Sequence, residues 1–286
     1  MSNGIIGFTN AGEPGFPSPA IWADCPNQLL IDKGLGYFVH RDGVGGIDSL
    51  PGLRTDSDSE TIAYDDGSNV DNRTVNVTGG SSDNNSVALH TSALAKVVKN
   101  SGNKLWLEAD IALAAITDQA LFFGLAEEAA LDRDVVADDP GNDAQAGLAT
   151  ESLIGFVTQQ NSSATDKIDA VYRKDDGSVV TPLADVTNAN AFSPGTATGV
   201  AVDRDFDPGD APGDLTADTM IRFGLRFDGR TTLRWYVNGV QVVSQEVDST
   251  VDQSKEYGAI LALKTGAASG RTVRYRLIRA AAQLRN

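Results

Sequence analysis

The sequence predicts an all-β fold, a two-sheet antiparallel sandwich carrying an extended N-terminal arm. Residues 221–247, IRFGLRFDGRTTLRWYVNGVQVVSQEV, hold three runs of β-forming residues divided by Asp228-Gly229 and Asn238-Gly239. Such dipeptides supply positive φ in tight hairpin turns, so the stretch predicts a three-stranded meander. Within it Ile221, Phe223, Leu225 and Phe227 alternate with Arg222 and Arg226, and Leu233, Trp235 and Val237 alternate with Arg234 and Tyr236. That period of two marks strands with one buried and one wet face. The rest of the chain beyond residue 60 repeats strand, turn, strand, and no long stretch shows a helical period.

Taken in order, residues 1–60 form the expected arm. Pro14, Pro17, Pro19, Pro26 and Pro51 interrupt any long element. Its apolar residues, among them Ile5, Ile6, Phe8, Phe16, Ile21, Trp22, Leu29, Leu30, Tyr37 and Phe38, are too many for a solvated tail and call for a surface to bury against. Residues 61–286 form the expected sandwich. Strands are predicted at 61–64, 73–78, 86–91, 104–115, 120–126, 153–159, 168–174, 178–183, 220–227, 231–238, 240–247, 257–264 and 271–280, with a further hairpin at Asp176-Gly177. Many strands with short antiparallel connections favour two packed sheets.

The net charge of -16 is uneven: residues 221–286 carry 11 Lys+Arg against 5 Asp+Glu, and residues 1–220 carry 12 against 34. So acidic a surface repels a nucleic-acid backbone and an anionic membrane, and neither is expected as a partner. The run RTVRYRLIR alternates Arg274 and Arg276 with Val273, Tyr275 and Leu277, which describes a strand face better than a basic patch. Asp outnumbers Glu by 31 to 8, as suits a chain rich in loops. Cys25 is the only cysteine, so no disulfide forms within the chain. The opening residues show neither the basic nor the continuous apolar region of a secretory signal, and no apolar run reaches membrane-spanning length. The expectation is a soluble product of a host cytoplasm. The N-x-[ST] matches at Asn72, Asn76, Asn84 and Asn161 are then chance products of an Asn- and Ser-rich chain.

The segments LWLEADIAL, LFFGLAEE, IGFVTQQ, DAVYRK, IRFGLRFDGRTTLRWYVNGVQV, YGAILAL and RTVRYRLIRA follow one another as strands do in a known family. With the hairpin Trp235-Tyr236-Val237-Asn238-Gly239 near the end, residues 60–286 resemble a concanavalin A-like, laminin-G-like jelly roll. The resemblance implies the fold. Its members serve as lectins, glycosidases, adhesion modules and viral coat components, so it leaves function open.

Candidate chemistry is sparse. Glu108 and Asp110 lie two apart on one strand and point to one face, the arrangement a glycosidase uses for acid and nucleophile. A related jelly-roll glycosidase family carries E-x-D-x-x-E on such a strand, but Leu113 stands here at the third acid. The plainer expectation is that Trp106, Glu108 and Asp110 form the outer face of a strand whose inner face is Leu105, Leu107, Ala109, Ile111 and Leu113. Asp203, Asp205, Asp207 and Asp214 match positions 1, 3, 5 and 12 of a calcium loop, and Asp132-Arg133-Asp134 leading to Asp139-Pro140-Gly141 echoes them. Pro208 occupies the sixth position, where the loop needs Gly, so a solvated acidic loop is expected. His40 and His90 are the only histidines, no G-x-S-x-G surrounds a serine, and KTGAASGRT lacks the Gly-Lys pair of a phosphate loop. Trp22 and Trp235 are expected in arm or core packing, while Trp106 is left open to stack on a sugar.

No catalytic, cofactor or metal residue is therefore assigned, and no enzymatic activity is expected. The leading expectation is a structural virion protein, of the kind found among tailed-phage capsid decoration or cement proteins. It would dock on the major capsid protein or another virion protein through its arm and assemble as a homo-oligomer. A carbohydrate-binding module or receptor-binding fibre component is the alternative, with a glycan as partner; a glycoside hydrolase stands third.

Overall fold

The computed structural model describes residues 18–22, 24–25, 37–43, 54–58, 61–65, 74–116, 118–136, 148–158, 168–175, 177–183, 217–247, 251–266 and 270–283. One helical turn, α1 (Pro19–Trp22), precedes fifteen strands within these residues. They are β1 (Tyr37–Gly43), β2 (Arg54–Ser57), β3 (Thr61–Asp65), β4 (Thr74–Thr78), β5 (Ser86–His90), β6 (Leu105–Leu113), β7 (Gln119–Glu127) and β8 (Leu153–Thr158). There follow β9 (Ile168–Arg173), β10 (Val180–Leu183), β11 (Ile221–Phe227), β12 (Thr232–Val237), β13 (Val240–Glu246), β14 (Tyr257–Thr265) and β15 (Thr272–Gln283).

The strands form two antiparallel sheets. The first runs β13-β12-β11-β6-β15-β4-β3, and the second β10-β9-β8-β7-β14-β5-β2. Long β15 serves two partners along one edge: Thr272–Tyr275 pair with β4, and Leu277–Gln283 pair with β1. The meander is present as β11-β12-β13, with Asn238 and Gly239 at φ of 50° and 82° in the turn between the last two.

Between the sheets lies one apolar core. Leu105, Leu107, Ala109, Ile111 and Leu113 all contribute to it, the inner face foreseen from alternation. Phe223 of the first sheet meets Phe123 and Phe156 of the second at ring-centroid distances of 6.3 and 5.0 Å. Trp235 crosses the same gap and donates its indole N–H to the Gly155 carbonyl at 2.9 Å, so this tryptophan is a core residue.

Part of each outer face is also covered, which alternation alone does not foresee. On the second sheet, Ala130, Leu131, Val135, Val136 and Leu148 pack over Phe122, Val157 and Ile260. On the first, Ile21 and Trp22 pack over Trp106, Tyr236 and Ala281. Two strands, β1 and β2, lie within the stretch read as an arm, and each pairs with a strand of the body. The sandwich thus draws on residues ahead of 61; short runs between prolines and glycines hid them, since β1 needs the far end of β15 as its template.

Candidate functional site

The chemistry-bearing residues gather on the outer face of the first sheet, where strand register does the positioning. β6 and β11 align so that Arg222 faces Asp110, Gly224 faces Glu108 and Arg226 faces Trp106. Opposed residues on one face are the closest side-chain neighbours in an antiparallel sheet. Arg222 accordingly donates through Nε to Asp110 Oδ1 at 2.7 Å, and the same Nε lies 3.6 Å from Glu108 Oε1. Glu108 and Asp110 do share a face, and they are buried at 0 % and 2 % exposure, against 11 % for Arg222.

What covers Glu108 is the chain's own stretch around α1. Pro19 opens α1, where a missing N–H costs nothing, and the turn presents Ser18 and Trp22 to the sheet. The Ser18 amide donates to Glu108 Oε1 at 2.8 Å, and the Trp22 indole donates to Oε2 at 2.7 Å. Both carboxylate oxygens are thereby engaged. The Trp22 ring lies over Trp106 with centroids 6.5 Å apart and planes 16° off parallel. Trp106, left open to a sugar by sequence, is stacked instead by another part of its own chain. Burial raises the Glu108 pKa above the ordinary carboxylate value, against the pull of Arg222, Ser18 and Trp22. For Arg222, burial works downward, but the Asp110 hydrogen bond and the charges of Asp110 and Glu108 outweigh it and hold the guanidinium firmly protonated.

Asp24 fastens the other end of the segment. It receives the Trp106 indole N–H at 2.9 Å on Oδ1, and Lys104 Nζ and Arg226 Nη2, both at 2.8 Å, on Oδ2. Burial works to raise its pKa, yet Lys104, Trp106 and Arg226 bring it below the usual value. Residues 18–22 and 24–25 therefore form a latch held at two points: Ser18 and Trp22 on Glu108, and Asp24 on Trp106, Lys104 and Arg226.

The latch fits because Gly224 leaves room. A Cβ built on Gly224 would sit 2.2 Å from Ile21 Cδ1, so any side chain there displaces Ile21. Gly224→Val is expected to release the latch while the body remains folded. Limited proteolysis would show early cleavage within 18–25, and the thermal midpoint would fall by several degrees, the shift about 1 kcal/mol or more produces in a domain this size.

Beside Asp24 opens a cavity of about 410 Å³, lined by Asp24, Gly102, Lys104, Arg226, Asp228, Arg230 and Arg234. Asp228 shapes its rim by accepting the backbone N–H groups of Arg230, Thr231 and Thr232 at 2.8, 3.0 and 3.0 Å. Burial opposes ionisation of Asp228, but those amides and the Arg234 charge hold its pKa low. Sequence reasoning placed Arg226 and Arg234 on the outer face but did not bring them together with Lys104, Asp24 and Arg230; the shared alternation of Arg222, Arg226 and Arg234 was the available signal.

Asp203, Asp205, Asp207 and Asp214 lie outside the described residues, as do Asp139, Pro140 and Gly141. Asp132 caps a short 3-10 turn by accepting the Asp134 amide at 2.9 Å. Among the described residues no group of three or more His, Cys, Asp or Glu is placed to hold a metal, and no helix is long and apolar enough to cross a membrane. His40 lies in β1, and His90 closes β5 with Nδ1 3.0 Å from the Thr91 carbonyl oxygen.

No protein-family model matches the chain, and no curated protein matches it. Solved structures do. Peanut lectin aligns over 87 % of this chain and 99 % of its own at 14 % identity, with a TM-score of 0.51. A protein of unknown function from Shewanella oneidensis MR-1 aligns over 95 % of this chain and 97 % of its own at 10 % identity, with a TM-score of 0.50. At such identities the likeness speaks for fold alone, and the fold is a lectin-like, concanavalin A-like jelly-roll sandwich.

Proposed function

We propose that the chain is a non-catalytic structural protein of a virus particle, a capsid decoration protein that docks on the major capsid protein or another virion protein through its leading residues and works as a homo-oligomer. The latch is the observation that carries this reading. A docking peptide transmits its grip only if its root is fixed, and Ser18 is fixed by a buried charge-assisted hydrogen bond to Glu108. Ahead of that root stand Ile5, Ile6, Phe8 and Phe16, apolar residues suited to a partner's surface. The same latch also weighs against hydrolysis at Glu108 and Asp110, because both Glu108 oxygens are taken and the carboxylates are enclosed.

A deletion of residues 1–17 tests the reading without disturbing Ser18. The truncated protein is expected to keep its thermal midpoint within a degree or so, since the contacts of Ser18, Trp22 and Asp24 described above are kept, and to lose cosedimentation with particles. Full attachment of the truncated chain overturns the proposal. A cut at residue 50 is a poorer test, because it also removes the latch and β1.

Glycan recognition is the second reading, favoured by the polar cavity beside Asp24 on a sandwich of the kind that peanut lectin shares. Binding on a glycan array that disappears in Arg234→Ala would support it.

A further inference from the structure

The cavity beside Asp24 has a charge imbalance that its own residues do not resolve. Arg226 on β11 and Arg234 on β12 are directly opposed across the two strands. Like charges in that position destabilise a sheet unless an anion lies between or beside them. The available carboxylates are stretched: Asp24 is shared among Arg226, Lys104 and the Trp106 indole, and Asp228 reaches Arg234 only at 3.7 Å while engaged with three backbone amides. Among the described residues, Arg226 Nε is buried with no hydrogen-bond partner. Arg230, exposed on the rim, pairs with no carboxylate among the described residues. Among the described residues that line the cavity, four cations thus face two carboxylates, in a chain whose net charge is -16.

We propose that this cavity binds an oxyanion carried on a sugar ring, a sulfate ester or a uronate carboxylate, held by the guanidinium groups of Arg230 and Arg234 with Arg226 behind them. Guanidinium forks match planar and tetrahedral oxyanions in a bidentate way, which a lysine cluster does not. The volume of about 410 Å³ falls in the range of small-molecule sites, roughly 300–1,000 Å³, and exceeds what a bare anion fills. The anion therefore comes on a larger body. The long-range repulsion by the acidic remainder of the chain also sets the ligand's character: a compact molecule with one local charge is tolerated, and a polyanion such as nucleic acid is not. This inference is independent of the decoration reading and deepens the recognition reading by naming the ligand class.

The test is calorimetric titration of the full chain with N-acetylglucosamine 6-sulfate, glucuronate, unmodified N-acetylglucosamine and sodium sulfate. The two acidic sugars are expected to bind at least about tenfold more tightly than either control, the worth of one charge-assisted contact, and to weaken as salt is raised. Arg230→Ala/Arg234→Ala is expected to weaken them by about tenfold or more, with an unchanged circular dichroism spectrum and with partial recovery in Arg230→Lys. If neutral and acidic sugars bind equally, the recognition reading stands and the oxyanion assignment falls. If sodium sulfate binds as tightly as the sugars, the saccharide half of the assignment falls. Absence of acidic-sugar binding, or binding untouched by the double variant, overturns the site.

Discussion

Replacing Arg222 with alanine is expected to lower the unfolding free energy by about 3–5 kcal/mol, the usual cost of removing one partner from a buried ionic cluster. The reason is the pair it leaves behind. Glu108 and Asp110 are 0 % and 2 % exposed, and Arg222 Nε lies 3.6 Å from the first and 2.7 Å from the second. Chemical denaturation at neutral pH is the direct measurement. The deficit should also depend on pH with a definite sign. Glu108 has its folded pKa raised, so its contribution to stability is present below the unfolded pKa and is lost as pH rises through the folded value. Without Arg222 that rise grows, and the variant should recover part of its deficit as pH falls toward the ordinary carboxylate value of 4.5. A triple variant, Glu108→Gln/Asp110→Asn/Arg222→Met, removes charge and countercharge together and should sit well above Arg222→Ala in stability. A single variant no less stable than the wild type would mean that water reaches the carboxylates in solution.

Trp22→Ala carries the second largest expected effect. The change deletes a ring that covers Trp106 and removes the donor to Glu108 Oε2. Truncating a buried aromatic costs about 3–5 kcal/mol when the site stays closed. Here the latch has an escape, because segment 18–25 can detach and let Glu108 meet water. The loss at the global transition is therefore expected at the lower end of that range, with detachment as the accompanying signature. Trp106 fluorescence should shift to the red, and the backbone amides of Ser18 and of position 22 should exchange quickly with solvent. Trp22→Phe keeps most of the ring and loses only the indole donor, so it should cost about 1–3 kcal/mol, the price of one unmet buried acceptor. Equal losses in the two variants would place the whole effect in the hydrogen bond.

The division between what the residues foretold and what they hid follows the range of the interactions. Turn dipeptides and alternation are local signals, and they located the β11-β12-β13 meander, the inner face of β6 and the core position of Trp235. Spacing alone placed Glu108 and Asp110 on one face. Their partners could not be found that way. Arg222 meets Asp110 only because β6 and β11, 112 residues apart at this pair, adopt one register out of several. Likewise Ser18 reaches Glu108 across 90 residues, and nothing in the local pattern around Pro19 announces that contact. The arm's apolar content signalled a need for burial without naming the surface; for Ile21 and Trp22 that surface is the chain's own first sheet. The cavity escaped notice for the same reason, since Asp24, Lys104 and Arg230 come from three separate connections.

Asp24 belongs to two equilibria at once, closure of the leading peptide and electrostatic balance of the neighbouring groove. Any solute anion that draws Lys104 or Arg226 away from it loosens closure. Thermodynamic reciprocity then requires the converse: release of Asp24 from Lys104 and Arg226 would alter the affinity for such an anion by the same factor. On the proposed ligand site, opening of the latch and filling of the groove would then be coupled through Asp24.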